Sequence, residues 1–418
     1  MKNERYYLIG KDINYSLSPW IYKEFDLDYE IKNISDKNEL DVFMTGKNFK
    51  AINVTNPYKK DVIKYLDEID PLAEEVGAVN TIVNDNGKLK GYNTDVFGLK
   101  KLIEKSGVDF NDKTVLVLGS GGAGKTAQYV AEKLGAKKAV VVSRNGKDNY
   151  TNIYWLYKDK AEIIINATPV GKENFPVKSV VDLTRFSHLK GVFDLNYAPL
   201  KTELVAKAEL MGIPAFGGLY MLVAQAVESA KIYGVRETKT ENGFEFALKD
   251  IYGELLFDRR NVVLIGMSGS GKTTIGKKLA KKLRRDFIDT DALIEERTGM
   301  KTGEYITENG EDRFREIETE IIKDLENLKG KVISVGGGAV LREENVLSLK
   351  ANGVLICLER DINKLSVKGR PLVTKETLKE VYEKRKPVYD KVKDVTVDNN
   401  KKAGGTVRKT IETIKENI

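Results

Sequence analysis

The run Val262-Val263-Leu264-Ile265 leads into Gly266-Met267-Ser268-Gly269-Ser270-Gly271-Lys272-Thr273, and Ile275, Leu279 and Leu283 follow at helical spacing. An apolar strand, a G-x-x-x-x-G-K-[ST] turn and an amphipathic helix, in that order, make a phosphate-binding loop in an α/β sheet. Backbone N–H groups of such a loop wrap phosphate oxygens, its lysine reaches the β/γ-phosphates, and its threonine hydroxyl can ligate Mg2+. Upstream, the strand Thr114 to Leu118 runs into Gly119-Ser120-Gly121-Gly122-Ala123-Gly124, which opens another helix. That is the context a dinucleotide-binding turn requires. Two nucleotide sites of different kinds imply two chemistries on one polypeptide.

Working outward, short β-like runs alternate with helical stretches: Tyr6–Ile9, Ala51–Val54, Val79–Val83, Thr114–Leu118, Ala139–Val142, Glu162–Ile165 and Val192–Leu195. The non-alternating strands after residue 110 read as parallel and covered on both faces, so this is a serial α/β protein. The pattern restarts at Val262, and the charged stretch Glu237 to Arg260, with Gly243 and Gly253, is the best linker candidate.

With 418 residues the chain has room for two to three domains, each with its own core. No apolar run reaches 18 residues, and the N-terminus lacks a signal-peptide core, so no membrane partner is expected. The lone cysteine, Cys357, sits in the apolar run Val354 to Leu358; it excludes an internal disulfide and suits the cytoplasm. The net charge of +7 comes from 69 basic residues interspersed with 62 acids. The densest basic stretch, Lys277 to Arg285, reads as a solvated helix face, and no nucleic-acid partner is expected. His188, the sole histidine, lies outside every motif.

Polar clusters recur at strand ends in the first hundred residues: Ser16-Leu17-Ser18-Pro19, Asn53 to Lys59, Ala78-Val79-Asn80-Thr81 and Gly91-Tyr92-Asn93-Thr94-Asp95. Singly, each could be a turn with Asx or Ser caps. Together, ahead of a dinucleotide turn, they read as a site for a small polyhydroxylated substrate. Lys59 and Asp95 would then handle the proton while a hydride leaves a nicotinamide.

Residues 1 to about 250 resemble shikimate dehydrogenase. The motifs are S-x-S-P, N-V-T-x-P-x-K, A-V-N-T, G-x-N-T-D and G-x-G-G-A-G, then N-A-T-P-x-G (Asn166 to Gly171), D-x-x-Y-x-P (Asp194 to Pro199) and M-L-V-x-Q-A (Met221 to Ala226). The resemblance assigns Ser16, Ser18, Thr55, Asn80, Tyr197 and Gln225 to the substrate, and Lys59 and Asp95 to catalysis. It assigns Gly119, Gly121, Gly122, Ala123, Ser143, Arg144 and Thr168 to the coenzyme. An acidic residue after the second strand of such a fold would bind the ribose 2′-OH of NAD; Arg144 suits the 2′-phosphate of NADP. Relatives usually carry Asn-Arg-Thr where Ser143-Arg144-Asn145 stands. The short segment from Arg144 to Glu162 leaves little room for the usual helix, which bears on affinity more than on coenzyme choice. Tyr22-Lys23, where relatives often have His-Asn, reads as a peripheral change.

Beyond the phosphate loop, Asp289 and Asp291 stand two residues apart just after a strand. They could be helix caps. In a phosphate-loop enzyme one such carboxylate commonly orients a magnesium-bound water, while the other can accept a hydroxyl proton. A long amphipathic helix then carries Phe314, Ile317, Ile321, Leu325 and Leu328 on one face with Arg315 beside it. Gly336-Gly337-Gly338 follows a strand, and Arg370 and Arg385 come later.

Residues 260 to 418 resemble shikimate kinase. The resemblance gives Asp291, Arg315, Gly337 and Arg385 to shikimate, with Asp291 near the attacking hydroxyl. It gives Thr273 and Asp289 to magnesium, and Gly269, Ser270, Gly271, Lys272, Thr273, Thr274 and Arg370 to ATP. Lys272 and Arg370 would stabilise the transferring phosphoryl group. The lid from Asp361 to Arg370 is shorter than usual and carries Lys368 rather than an arginine ahead of Arg370.

The implied architecture is a two-domain dehydrogenase followed by a P-loop kinase with a parallel sheet. Residues 1–100 would bind substrate, completed by about 220–245; 101–219 would form a Rossmann domain for NADPH; 246–259 would link to a kinase over 260–418. The implied activity is bifunctional: reduction of 3-dehydroshikimate to shikimate, then phosphorylation of its 3-hydroxyl with ATP and Mg2+. A quinate/shikimate dehydrogenase fused to the kinase, or a catalytically dead sensor, are the alternatives.

Overall fold

Apolar runs without polar alternation are satisfied only where both faces of a sheet are covered. The computed structural model, which describes residues 5–235, 243–365 and 375–416, places such runs in three sheets. The chain divides into two compact units. One comprises Met1–Ala198 and Met211–Gly253, the other Pro199–Leu210 and Glu254–Ile418.

The first unit opens with a mixed sheet of β1 (Tyr6–Gly10), β2 (Tyr29–Asn33), β3 (Ala51–Val54), β4 (Glu68–Ile69), β5 (Thr81–Asp85) and β6 (Lys88–Tyr92), in the order β2-β1-β3-β5-β6-β4. Three of these strands, β2, β4 and β6, were not among the expected runs. β2 is an edge strand with mostly half-buried side chains, so it lacks a continuous apolar signal. β6 pairs antiparallel with β5 across the two-residue turn Asn86-Gly87, both residues at positive φ. An Asn-Gly pair is the strongest short hairpin signal a sequence offers, and it was there to be read.

The second sheet contains β7 (Thr114–Leu118), β8 (Lys138–Val142), β9 (Ile163–Asn166), β10 (Gly191–Asp194) and β11 (Ala215–Gly217), all parallel, in the order β11-β10-β9-β7-β8. After β7 the chain steps to β8 on one side, then to β9 on the other. The crevice beyond the carboxyl ends of β7 and β9 is therefore a topological switch point, where α/β sheets take ligands.

In the second unit β12 (Asn261–Ile265), β13 (Phe287–Asp289), β14 (Val332–Ser334), β15 (Gly353–Glu359) and β16 (Val395–Asp398) form a parallel sheet in the order β13-β14-β12-β15-β16. Val263, Ile265, Leu355 and Cys357 face one apolar cluster, while Val262, Leu264, Ile356 and Leu358 face another. This is the double burial that parallel strands need. Burial pushes the Cys357 thiol up to about 11, so the lone cysteine is an inert core group.

Two stretches behave differently from their composition. Most of the charged stretch expected to be linker forms a helix, Phe244–Arg259, because Ala247, Leu248, Ile251 and Leu255 fall on one buried stripe, while its residues 237–242 lie outside the described residues. The segment Pro199–Leu210 belongs by its contacts with residues 254–418. Its Lys201 N–H donates to the Ala351 carbonyl at 2.9 Å and its Leu200 N–H to Asn352 Oδ1 at 3.1 Å. Lys201 pairs with Glu209 at 2.8 Å, and the buried Lys350 pairs with Asp394 at 2.6 Å and Glu209 at 3.7 Å. Burial pushes Asp394 up, but Lys201, Lys350 and the Leu355 amide more than offset it and hold the carboxyl below its usual range.

Candidate active sites

In the first unit the polar turns after β1, β3 and β6 and the helix Leu219–Ile232 converge on one cleft of about 200 Å³. Ser16, Ser18, Thr55, Lys59, Asn80, Asp95, Tyr197 and Gln225 all line it, so every substrate and catalytic position expected in this half meets in one place. Ser16 Oγ lies 3.1 Å from Ser18 Oγ and accepts the Ser18 N–H.

Asp95 starts the helix Asp95–Ser106, which puts its carboxylate at the end of β6 and in direct ion pairing with Lys59. The two side chains are only 16% and 10% exposed, so the pair is largely out of water. Asn80 Nδ2 donates to the other carboxylate oxygen of Asp95 at 3.0 Å. Gln225 Oε1 accepts from Thr94 Oγ1 at 3.3 Å and from Asn80 Nδ2 at 3.4 Å.

Tyr22 is not peripheral. It is fully buried, stacks on Tyr29 with ring centroids 4.1 Å apart, and donates to Asn53 Oδ1 at 2.7 Å. Burial raises the phenols of both tyrosines, which therefore stay protonated donors.

The glycines of the dinucleotide turn are there for close approach. Gly119 has φ +111°, and a Cβ on it would sit 2.9 Å from Thr168 Cγ2 across the switch point. A Cβ on Gly124 would collide with the Gly119 carbonyl, whereas one on Gly121 would meet nothing within 4 Å. Gly122 and Ala123 begin the helix Gly122–Lys133, so free N–H groups point where a pyrophosphate would lie. Thr168 is fixed by its N–H and Oγ1, which both donate to Asn166 Oδ1, at 3.0 and 2.7 Å. Ser143 closes a tight turn by donating its N–H to the Asp148 carbonyl at 3.1 Å, leaving Arg144 exposed at the tip. The short segment beyond holds only a one-turn helix, Ile153–Tyr157.

In the second unit the phosphate loop turns on Gly266, Gly269 and Gly271, all at positive φ. Lys272 Nζ donates to the carbonyls of Gly266 at 2.9 Å and Met267 at 3.1 Å, which curls it over the loop. Asn399 Nδ2 braces the loop by donating to the Ser270 carbonyl at 2.6 Å. Thr274 follows on the helix and is exposed. Thr273 Oγ1 donates to Asp289 Oδ2 at 2.8 Å, bringing together two hard oxygen ligands of the kind magnesium takes. Among the described residues no group of three or more His, Cys, Asp or Glu could hold a metal.

The glycines after β14 let side chains crowd one point. A Cβ on Gly336 would come within 2.5 Å of Glu318 Oε1 and 3.1 Å of Asp291 Oδ1. One on Gly337 would lie 2.6 Å from Ser268 Oγ and 3.3 Å from Arg385 Nη1, and one on Gly338 would strike the Arg315 guanidinium. Asp291, Arg315, Gly337 and Arg385 are thus neighbours, while Arg370 lies outside the described residues. Burial first, then the Asp289 carboxylate, raises Asp291 above the usual range.

Glu318 was missed by the sequence reading. It is fully buried, its Oε2 accepts from Arg315 Nη1 at 2.6 Å, and its Oε1 has no hydrogen-bond partner among the described residues. Burial raises its carboxyl too. The available signal was its place three residues after Arg315 on the helix Glu311–Asp324, one turn along the same face.

Comparison with known proteins finds relatives of both parts of the chain. The family model for shikimate kinase matches residues 268–415, and that for the shikimate dehydrogenase substrate binding domain matches residues 8–82. The NADP(+) shikimate dehydrogenase of Caldicellulosiruptor bescii is 36% identical over 258 residues, covering 55% of this chain and 89% of that protein. The crystal structure of shikimate dehydrogenase 1 from Peptoclostridium difficile matches with a TM-score of 0.54 and 33% identity, covering 60% of this chain and 97% of that one. A chorismate mutase/shikimate 5-dehydrogenase fusion protein from Clostridium acetobutylicum matches with a TM-score of 0.54 and 30% identity, covering 61% and 98%.

Proposed function

We propose that this chain, which belongs to the shikimate dehydrogenase family and carries a shikimate kinase domain behind that part, reduces 3-dehydroshikimate to shikimate and then phosphorylates the new 3-hydroxyl. One observation carries the reductase half: a Cβ on Gly122 would meet Lys59 Cδ at 3.3 Å, so the acid–base pair lies against the dinucleotide turn. Bound NADPH supplies a hydride, and bound ATP with Mg2+ supplies the phosphoryl group.

Within the first site Lys59 gives its proton to the C3 oxygen as the ketone becomes an alcohol, and Asp95 holds the ammonium in place. Ser16, Ser18, Thr55, Asn80, Tyr197 and Gln225 hold the carboxylate and hydroxyls of the substrate. Gly119, Gly121, Gly122, Ala123 and Thr168 would hold the coenzyme pyrophosphate, and Ser143 and Arg144 its 2′-phosphate.

Within the second site Asp291 takes the proton of the attacking hydroxyl, and burial makes it a stronger base for that task. Arg315, Gly337 and Arg385 hold the acid, while Lys272 and Arg370 balance charge on the moving phosphoryl group. Thr273 and Asp289 would hold the magnesium, with the rest of the loop from Gly269 to Thr274 around the phosphates. Among the described residues no helix is long and apolar enough to cross a membrane, and the buried Cys357 suits a cytoplasmic setting.

A coupled assay tests the reading. The chain incubated with 3-dehydroshikimate, NADPH and Mg-ATP should yield shikimate 3-phosphate, with shikimate as a transient. Loss of either half-reaction would overturn it.

A further inference from the structure

The cleft of the first unit lacks a counter-charge for its substrate. Among its lining residues only Lys59 and Asp95 carry charge, and they neutralise each other. A hydroxylated carboxylic acid brings in a negative charge that this pair does not balance. Ser16 and Ser18 offer hydroxyls, which fix the position of a carboxylate without opposing its charge. Taking a carboxylate out of water with no cation beside it is costly, so hydroxyls alone leave the site incomplete.

A cation stands at the rim. Lys172 Nζ lies over the Tyr15 ring, 3.5 Å from its centroid. Tyr15 lines the cleft next to Ser16 and is 46% exposed, and the Tyr197 ring is its neighbour with centroids 6.4 Å apart. Lys172 is therefore placed on the wall that carries Ser16 and Tyr197. Its backbone is pinned to the same wall. The Glu173 N–H donates to the Ala198 carbonyl at 2.7 Å, and Asn196 Nδ2 donates to the Val170 carbonyl at 3.2 Å. These two bonds flank both Lys172 and Tyr197, so the turns carrying them are stitched together. Within its own turn the Lys172 N–H donates to the Pro169 carbonyl at 3.2 Å, and its carbonyl accepts from the Phe175 N–H at 2.9 Å.

Among the described residues no carboxylate pairs with the Lys172 ammonium; the face of a neutral ring holds it. That hold is weak at an exposed site. An arriving carboxylate is the stronger partner, and the flexible four-carbon stem lets the ammonium swing from the ring onto it. We infer that Lys172 supplies the counter-charge for the substrate carboxylate in the reductase, drawing the anionic substrate in and selecting it over uncharged analogues. This rests on the reading of the cleft as a shikimate site.

The experiment follows oxidation of shikimate at saturating NADP+ by the full chain and by its Lys172→Met and Lys172→Arg variants, with shikimate methyl ester as the uncharged probe. Methionine keeps an unbranched stem on the Tyr15 ring and removes the charge. Lys172→Met should lower kcat/KM for shikimate about 10-fold, mainly through KM, with kcat and the KM for NADP+ within about twofold; Lys172→Arg should keep most of the activity. The ester, read as a substrate or as a competitive inhibitor, should respond to Lys172→Met by less than about twofold. Added salt should lower kcat/KM for shikimate in the unmutated chain and do so much less in Lys172→Met. An unchanged kcat/KM for shikimate in Lys172→Met overturns the inference. So does an equal loss for acid and ester, which would make Lys172 a packing group on Tyr15. A raised KM for NADP+ would assign the lysine to the coenzyme and overturn it as well. Failure of the unmutated chain to oxidise shikimate brings down the reading of the cleft itself.

Discussion

Lys59 and Asp95 in the first unit, and Asp291 and Glu318 in the second, are all withdrawn from water, but their charges are balanced differently. Lys59 and Asp95 neutralise each other directly, and the spare carboxylate oxygen takes an amide N–H. Around Asp291 the carboxylates crowd: Asp289 lies two residues away, Glu318 shares the space behind Gly336, and Arg315 is divided between Glu318 and Glu311. The difference follows the chemistry. A reduction needs a proton donor whose leftover charge is already matched, and an ion pair provides it. A phosphoryl acceptor must lose a proton, so a carboxylate made more basic by burial and like charge is the better partner.

The sharpest way to break this comparison is at the lysines. Lys59→Ala should lower kcat for reduction about 10²–10⁴-fold with much of the substrate binding intact, while kinase turnover of added shikimate stays unchanged. A near-normal kcat would mean the proton travels another way. Lys272→Ala should lower phosphorylation by about 10²–10³-fold or more and leave reduction within about twofold. If it also stops reduction, the two sites are not independent.

Arg144→Ala is the next step down. It removes charge-assisted contacts worth about 1.5–3 kcal/mol each, so kcat/KM for NADPH should fall about tenfold or more while that for NADH barely moves. Equal use of both coenzymes before mutation would dismiss the 2′-phosphate role.

pH separates the sites without mutation. If Asp291 takes the hydroxyl proton, its ionised form is the active one; because its value is raised, phosphorylation should then fall on acidification while ordinary carboxylates are still ionised. The measurement is kcat for the kinase step against pH at saturating ATP. An acid limb in the ordinary aspartate range would remove Asp291 as the acceptor.

The smallest expected effect concerns Pro199–Leu210. A fragment of residues 254–418 lacks Lys201 and Glu209, which flank the Lys350–Asp394 pair. It should phosphorylate shikimate, melt a few degrees lower than the same unit in the full chain, and regain stability with a peptide of residues 199–210. Because Asp394 is held below its usual range in the folded state, its stabilisation is present above the unfolded value and lost as pH falls through the folded one. The peptide should therefore matter less in acid. An equal melting temperature with and without it would reduce the segment to a bystander.

Much of both sites could be read in one dimension because their geometry is local. A phosphate loop is one turn between one strand and one helix, and Gly266, Gly269 and Gly271 each sit where only a positive φ closes it. Lys59 and Asp95 were legible because each ends a strand-turn motif with few other uses. Glu318 was not, since a Glu on a helix is ordinary until its neighbours are known. Tyr22 read as peripheral because its partners Tyr29 and Asn53 lie 24 residues apart in sequence, on strands flanking β1, and only the fold brings their side chains together.

What the sequence determined by itself is therefore what short-range backbone conformation decides: the glycine turns, the helices they open, the parallel strands and the reactive side chains fixed to those turns. Tertiary structure alone decided which groups lose water together. The raised Asp291 and Glu318, the buried contact of Tyr22 with Asn53, and the allegiance of residues 199–210 all depend on burial. Burial is a property of distant segments meeting, and a carboxylate or an amide changes its behaviour only when that meeting removes its solvent.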